Sequence, residues 1–158
     1  MADMIKVRSA TNRTISLYDP TIPLRKVWSK RDAVYPIERE KLMQVYFNSS
    51  LEKLLRQGLL IIDDKKFLVE VGYLLEENEP ITTIELTPAL MKRCISVMSL
   101  IDLKDTLSKL SIAQINDLVA YAVEHNDELR MDRIDILSQA SGKNILRAIE
   151  LHKKDQED

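Results

Sequence analysis

The chain has 158 residues, 45% hydrophobic and 30% charged, with a formal net charge of −2; that mixture buries a core and excludes wholesale disorder. Three glycines argue against glycine-rich phosphate loops, and one cysteine, Cys94, excludes an intrachain disulfide and suits a reducing compartment. No apolar run approaches the roughly 20 residues of a membrane helix, so no membrane span is expected.

The start, M-A-D-M-I-K-V, lacks the apolar core of a signal peptide and reads as the opening of a strand. Ile5 and Val7 alternate with Lys6 and Arg8, and Ile15 and Leu17 alternate with Ser16 and Tyr18, the period of half-buried strands. Asp19–Pro23 breaks the pattern, and Leu24–Trp28 is a third strand. Pro36 is expected to open a helix running to about Phe47, because proline suits a first helical turn. Ser49, with Glu52 three residues on, predicts a capping box for a short helix that Gly58 stops. Leu59–Ile62 and Phe67–Val71 then read as a β-hairpin around the polar turn Asp63–Lys66.

Glu76, Glu77, Asn78, Glu79 and Pro80 change the composition abruptly and predict a boundary, with 76–86 an acidic linker or extended arm. From Thr87 the period is helical. Thr87-Pro88 starts a helix whose stripe is Leu90, Met91, Cys94, Ile95 and Met98. A second helix follows Ser99 on Leu103, Leu107 and Leu110, and Ser111 with Gln114 makes a capping box for a third. Ile134, Leu137 and Ala140 carry a fourth helix, stopped by Gly142; Ile145, Leu146 and Ile149 carry a fifth that frays into the charged tail 154–158. The expected class is α+β: a mixed sheet and helix module over 1–75, followed by a small helical bundle over 87–153.

Chemistry-bearing groups are sparse. His125 and His152 stand 27 residues apart with no clustered cysteine or histidine, so neither a metal nor a cofactor is expected. Cys94 shares a stripe with Leu90, Ile95 and Met98 and reads as core filler. Asp63 and Asp64 read as turn formers rather than paired catalytic carboxylates. With no nucleotide-binding or zinc-protease motif, an enzyme is not expected.

Charge is more informative. Residues 1–75 hold 13 Lys/Arg against 9 Asp/Glu, and residues 76–158 hold 10 against 16. Opposed ends of this kind are either ordinary solvated faces or complementary assembly surfaces. The run Arg25, Lys26, Val27, Trp28, Ser29, Lys30, Arg31 sets an aromatic among basic residues, a composition able to grip phosphates and stack a base. Two helices and a hairpin over 37–71 also have the element order of a winged helix, with Arg56, Lys65 and Lys66 extending the basic side.

The segments V-R-S-A-T-N-R-T-I-S-L-Y (7–18), L-E-K-L-L-R-Q-G-L-L-I-I-D-D (51–64) and S-G-K-N-I-L-R-A-I-E-L (141–151) resemble those of small virion-associated proteins of tailed bacteriophages. That resemblance implies a β-containing module with a helical tail and a capsid- or tail-associated role. The expected function is therefore a non-enzymatic assembly protein, found in the virion or the host cytoplasm. It would bind other virion proteins or copies of itself, through Arg25, Lys26, Trp28, Lys30, Arg31, Arg56, Lys65 and Lys66 on one side and Glu76, Glu77 and Glu79 on the other. The alternative is a nucleic-acid-binding regulator using residues 37–71.

Overall fold

A computed structural model describes residues 3–48, 50–81 and 83–157. These residues form an α+β protein of five strands and eight α-helices. The chain divides into two compact units, Met1–Glu85 and Leu86–Asp158.

In the first unit, β1 (Met4–Ser9) is the central strand of a three-stranded antiparallel sheet. Its Ile5 and Val7 face the core, and the intervening residues face outward, as alternation demands. On one side β1 pairs with β4 (Val34–Glu38), in register Ile5↔Ile37 and Val7↔Tyr35. On the other it meets β5 (Leu60–Ile61) only at its end, Arg8↔Ile61 and Ser9↔Leu60. β2 (Ile15–Asp19) and β3 (Leu24–Trp28) form a separate hairpin. Trp28, fully buried, joins the two layers: its indole N–H donates to the Val7 carbonyl at 3.0 Å. Helix α1 (Arg39–Asn48) packs on β1 and β2 through Leu42, Val45 and Tyr46.

Two expectations fail here for physical reasons. Pro36 does not open a helix; it sits within β4, which pairs only with β1 and so is an edge, where a missing N–H costs little. Helix α1 starts three residues later, with Glu40 in its first turn at the favourable end of the dipole. The hairpin over 59–71 does not form either. Leu60 and Ile61 pair with β1, and residues 65–70 are helix α3 (Lys65–Glu70), whose N-cap is Asp64 accepting from the Phe67 N–H at 3.1 Å. Phe67, Leu68 and Val71, all buried, lie on one helical face. A run this short satisfies both periods, and the cap plus the free edge of β1 decide between them.

Helix α2 (Leu51–Arg56) precedes β5. The expected cap Ser49, and with it the capping box, lies outside the described residues; Ser50 holds the N-cap position without a side-chain bond, and Glu52 accepts from Arg56. Gly58 (φ 72°) does end the helix: its N–H donates to Leu55 and that of Leu59 donates back to Leu54, the paired bonds of a left-handed C-terminal stop. Residues 76–85 belong to the first unit.

The second unit consists of α4 (Pro88–Ile95), α5 (Leu100–Lys109), α6 (Ile112–Glu124), α7 (Ile134–Ser141) and α8 (Ile145–Glu157). Thr87, Ser99 and Ser111 cap the first three, and the Ser111–Gln114 box closes in both directions. Helix α6 is central, in contact with α4, α7 and α8. Gly142 stops α7 in the left-handed conformation. The expected fraying after Lys153 does not occur: α8 continues to Glu157, since Lys, Gln and Glu are good helix formers. Among the described residues, no helix is long and apolar enough to cross a membrane.

Candidate functional site

The basic residues picked out from the sequence are dispersed by the fold. Strand alternation sends Arg25 and Lys26 to opposite faces of β3. Arg25 is exposed beside Tyr18 on β2, whereas Lys26 lies with its ammonium 5.6 Å from the Tyr35 ring. Trp28, expected as a contact residue, is interior and packs edge-on against Tyr35 at 5.5 Å, so it offers no stacking platform. Lys30 is exposed, and Arg31 donates to the Ala10 carbonyl at 2.8 Å. Arg56 pairs with Glu52 at 3.0 Å and lies over the Tyr73 ring. Its guanidinium pKa is raised, chiefly by the Glu52 hydrogen bond. Lys65 donates to the Glu79 carbonyl at 3.2 Å, and Lys66 is exposed on α3.

The acidic segment is not a free linker. Glu79 turns back to accept the Leu75 N–H at 2.6 Å, and its own N–H donates to the Glu76 carbonyl. The resulting turn presents Leu75, 85% exposed, with Glu76 and Glu77 beside it. Further on, Glu85 receives both guanidinium nitrogens of Arg8, at 2.6 and 3.2 Å. That fork raises the Arg8 pKa, with the Glu85 hydrogen bond as the largest cause. Tyr73 and Thr83 hydroxyls meet at 3.1 Å. Counted over 1–85, the first unit therefore holds 13 basic against 13 acidic residues, and the second holds 10 against 12. The opposed poles expected from the sequence vanish once the acidic stretch is assigned to the unit that it folds against.

Concavities flank these groups, one of about 370 Å³ lined by Met4, Lys6, Arg8, Val34, Ile61, Asp63 and Asp64. A cleft of about 210 Å³ is lined by Leu55, Leu60, Ile62, Leu68 and Ile84, together with Asp63 and Glu85. It falls below the roughly 300–1,000 Å³ of ordinary ligand sites, and no histidine or cysteine lines it. A slot of about 200 Å³ opens between the edges of β3 and β4, lined by Met4, Pro23, Pro36, Arg25, Lys26 and Lys41, with Glu38 3.8 Å from the Lys41 ammonium.

In the second unit Cys94 is fully buried; burial pushes its thiol pKa up, and its carbonyl accepts from the buried Arg133 at 3.0 Å. His125 ends α6, with its ring 4.1 Å from that of Tyr121. Among the described residues, no group of three His, Cys, Asp or Glu side chains is placed to hold a metal ion. What the surface does offer is apolar. Val97 (75% exposed) and Ile101 (81%) flank the α4–α5 corner, and the Arg130 N–H bonded to the Ile95 carbonyl brings Met131 (75%) to the same end. Ile101 lies off the buried stripe of its helix, while Val97 and Met131 lie outside the α-helices, and the sequence pattern singles out none of the three. Arg8 and Glu85 carried no local signal, since they stand 77 residues apart and meet only in the fold.

Comparison of the chain with family models, curated proteins and solved structures returned no match.

Proposed function

We propose that this protein is a non-enzymatic assembly protein that joins neighbours within a larger particle, in keeping with its resemblance to tailed-phage virion proteins. It would act in the virion or in the host cytoplasm. The observation that carries the reading is the uncovered apolar corner of the second unit, where Val97, Ile101 and Met131 stand 75%, 81% and 75% exposed. Large side chains clustered in water mark contact surfaces, because covering them releases hydration free energy of about 25 cal/mol per Å².

The nucleic-acid alternative has less support. Residues 65–70 are helix where a wing was expected, Trp28 is interior, and basic and acidic residues balance in the first unit. A regulator would retain DNA on a filter at low salt and release it steeply as salt rises; we expect no retention.

The test of the assembly reading is cross-linking with mass spectrometry on particles purified from cells that express the chain, alongside sedimentation of the pure protein. The corner should appear in cross-links to a neighbour, and Val97→Asp with Ile101→Asp should abolish incorporation while leaving the helical circular dichroism intact. Incorporation unchanged in that variant, or a protein found in no complex at any concentration, would sink the reading.

A further inference from the structure

We infer that copies of this chain join head to tail, the Leu75–Glu77 turn of one copy seated in the slot between β3 and β4 of the next. The inference rests on the assembly reading and adds to it a partner and a face. The slot carries Arg25 and Lys41 against the single carboxylate of Glu38, and Met4, Pro23 and Pro36 supply its smaller apolar share. Its chemistry asks for an apolar knob with negative charge beside it. The turn supplies one: Leu75 is 85% exposed, and the exposed carboxylates of Glu76 and Glu77 make no ion pair or side-chain hydrogen bond among the described residues. Glu79 and Lys65 pin the turn open at its base, so little ordering is lost on docking.

The prolines decide what kind of segment fits. Pro36 removes an N–H from β4, and Pro23, next to the start of β3, removes another near the opposite rim. An incoming strand would find a broken ladder on both sides, whereas a turn recognised by side chains loses nothing. Because slot and turn are different patches, the contact is heterologous and repeats from copy to copy, giving a ring or a filament.

Two charge reversals test it. Glu76→Lys with Glu77→Lys, and separately Arg25→Glu with Lys41→Glu, change surface side chains only, and circular dichroism verifies the fold. In sedimentation velocity at low salt the wild-type chain should associate with rising concentration and dissociate as salt is added. Each reversal should weaken association by about tenfold or more, since like charges then face each other. Mixing the two variants should restore it. Wild-type association that is indifferent to both reversals would overturn the inference and leave the assembly reading standing on its apolar corner. A wild-type chain that stays monomeric at low salt overturns it too, while the assembly reading survives through foreign partners.

Discussion

In the first unit the decisive bonds join residues far apart in sequence: Trp28 reaches Val7, the Ala10 N–H reaches Leu59, and Arg8 reaches Glu85. In the second they lie within one helical turn, where Thr87 caps onto Leu90, Ser99 onto Asp102 and Ser111 onto Gln114. Both units bury complete apolar cores, so the difference is not in the amount of hydrophobic driving force. It lies in where the geometry is specified. Local bonds carry their instructions in adjacent residues, while a sheet's register is set by strands that sequence proximity does not reveal.

This contrast can be broken first at Trp28. Trp28→Ala should cost the first unit about 3–5 kcal/mol, because it empties the space between the two β layers and leaves the Val7 carbonyl short of a donor. Urea unfolding followed by circular dichroism should then show the first unit melting ahead of a second unit whose midpoint has not moved. A single shifted transition for the whole chain would show that the units are not independent.

A smaller loss is expected at a long-range tie in the second unit. Arg133→Met should cost about 1–3 kcal/mol by stripping the buried Cys94 carbonyl of its donor. It should also open a path to the thiol. In the wild type Cys94 should resist a thiol reagent at pH 8, because burial both hides it and disfavours the reactive thiolate. The sign of the pH effect follows. A pKa raised by folding contributes stability that is whole below the ordinary thiol value of about 8.5 and is lost as pH rises through the folded value. Cys94→Ala should flatten that alkaline decline, which a pair of denaturation series across pH 8 to pH 10 would measure.

Caps should weigh about equally in the two units. Asp64→Ala and Ser111→Ala should each cost about 1 kcal/mol. The first is the sharper experiment, since loss of helical ellipticity at Asp64→Ala is expected of a capped α3 and would be absent if 59–71 were a hairpin. The smallest effect belongs to the Arg8–Glu85 fork. Both side chains are partly solvated, at 26% and 33% exposure, so Glu85→Gln should cost under about 1 kcal/mol. Its clearest readout is local: limited proteolysis should cut residues 76–85 faster in the variant while the rest of the chain stays resistant.

The legibility of the candidate surfaces follows the same division. The stripes of α4 to α7 identified the core of the second unit, but Val97, Ile101 and Met131 sit outside them, and only the fold leaves them exposed at one end. In the first unit the run Arg25–Arg31 looked like one surface, but pleating splits Arg25 from Lys26 and the core claims Trp28. Lys41 and Met4 join Arg25 at the slot only because β1, β3, β4 and α1 converge there. The acidic stretch 76–79 looked like a linker because solvated linkers and folded turns share a composition, and only the bonds made by Glu79 and Lys65 distinguish them.

By itself the sequence determined the α+β class, the helices from Thr87 onward with their caps, the stop at Gly58, and the strands around Ile5, Ile15 and Leu24. Each of these is written in residues no more than four or five apart. Only the tertiary structure decided that Leu60 and Ile61 pair with β1, that 65–70 is a helix, that Pro36 lies in an edge strand, and that the acidic segment neutralises the unit before it. Those outcomes depend on which distant group offers a hydrogen bond or a counter-charge, and that is a property of the folded chain in three dimensions.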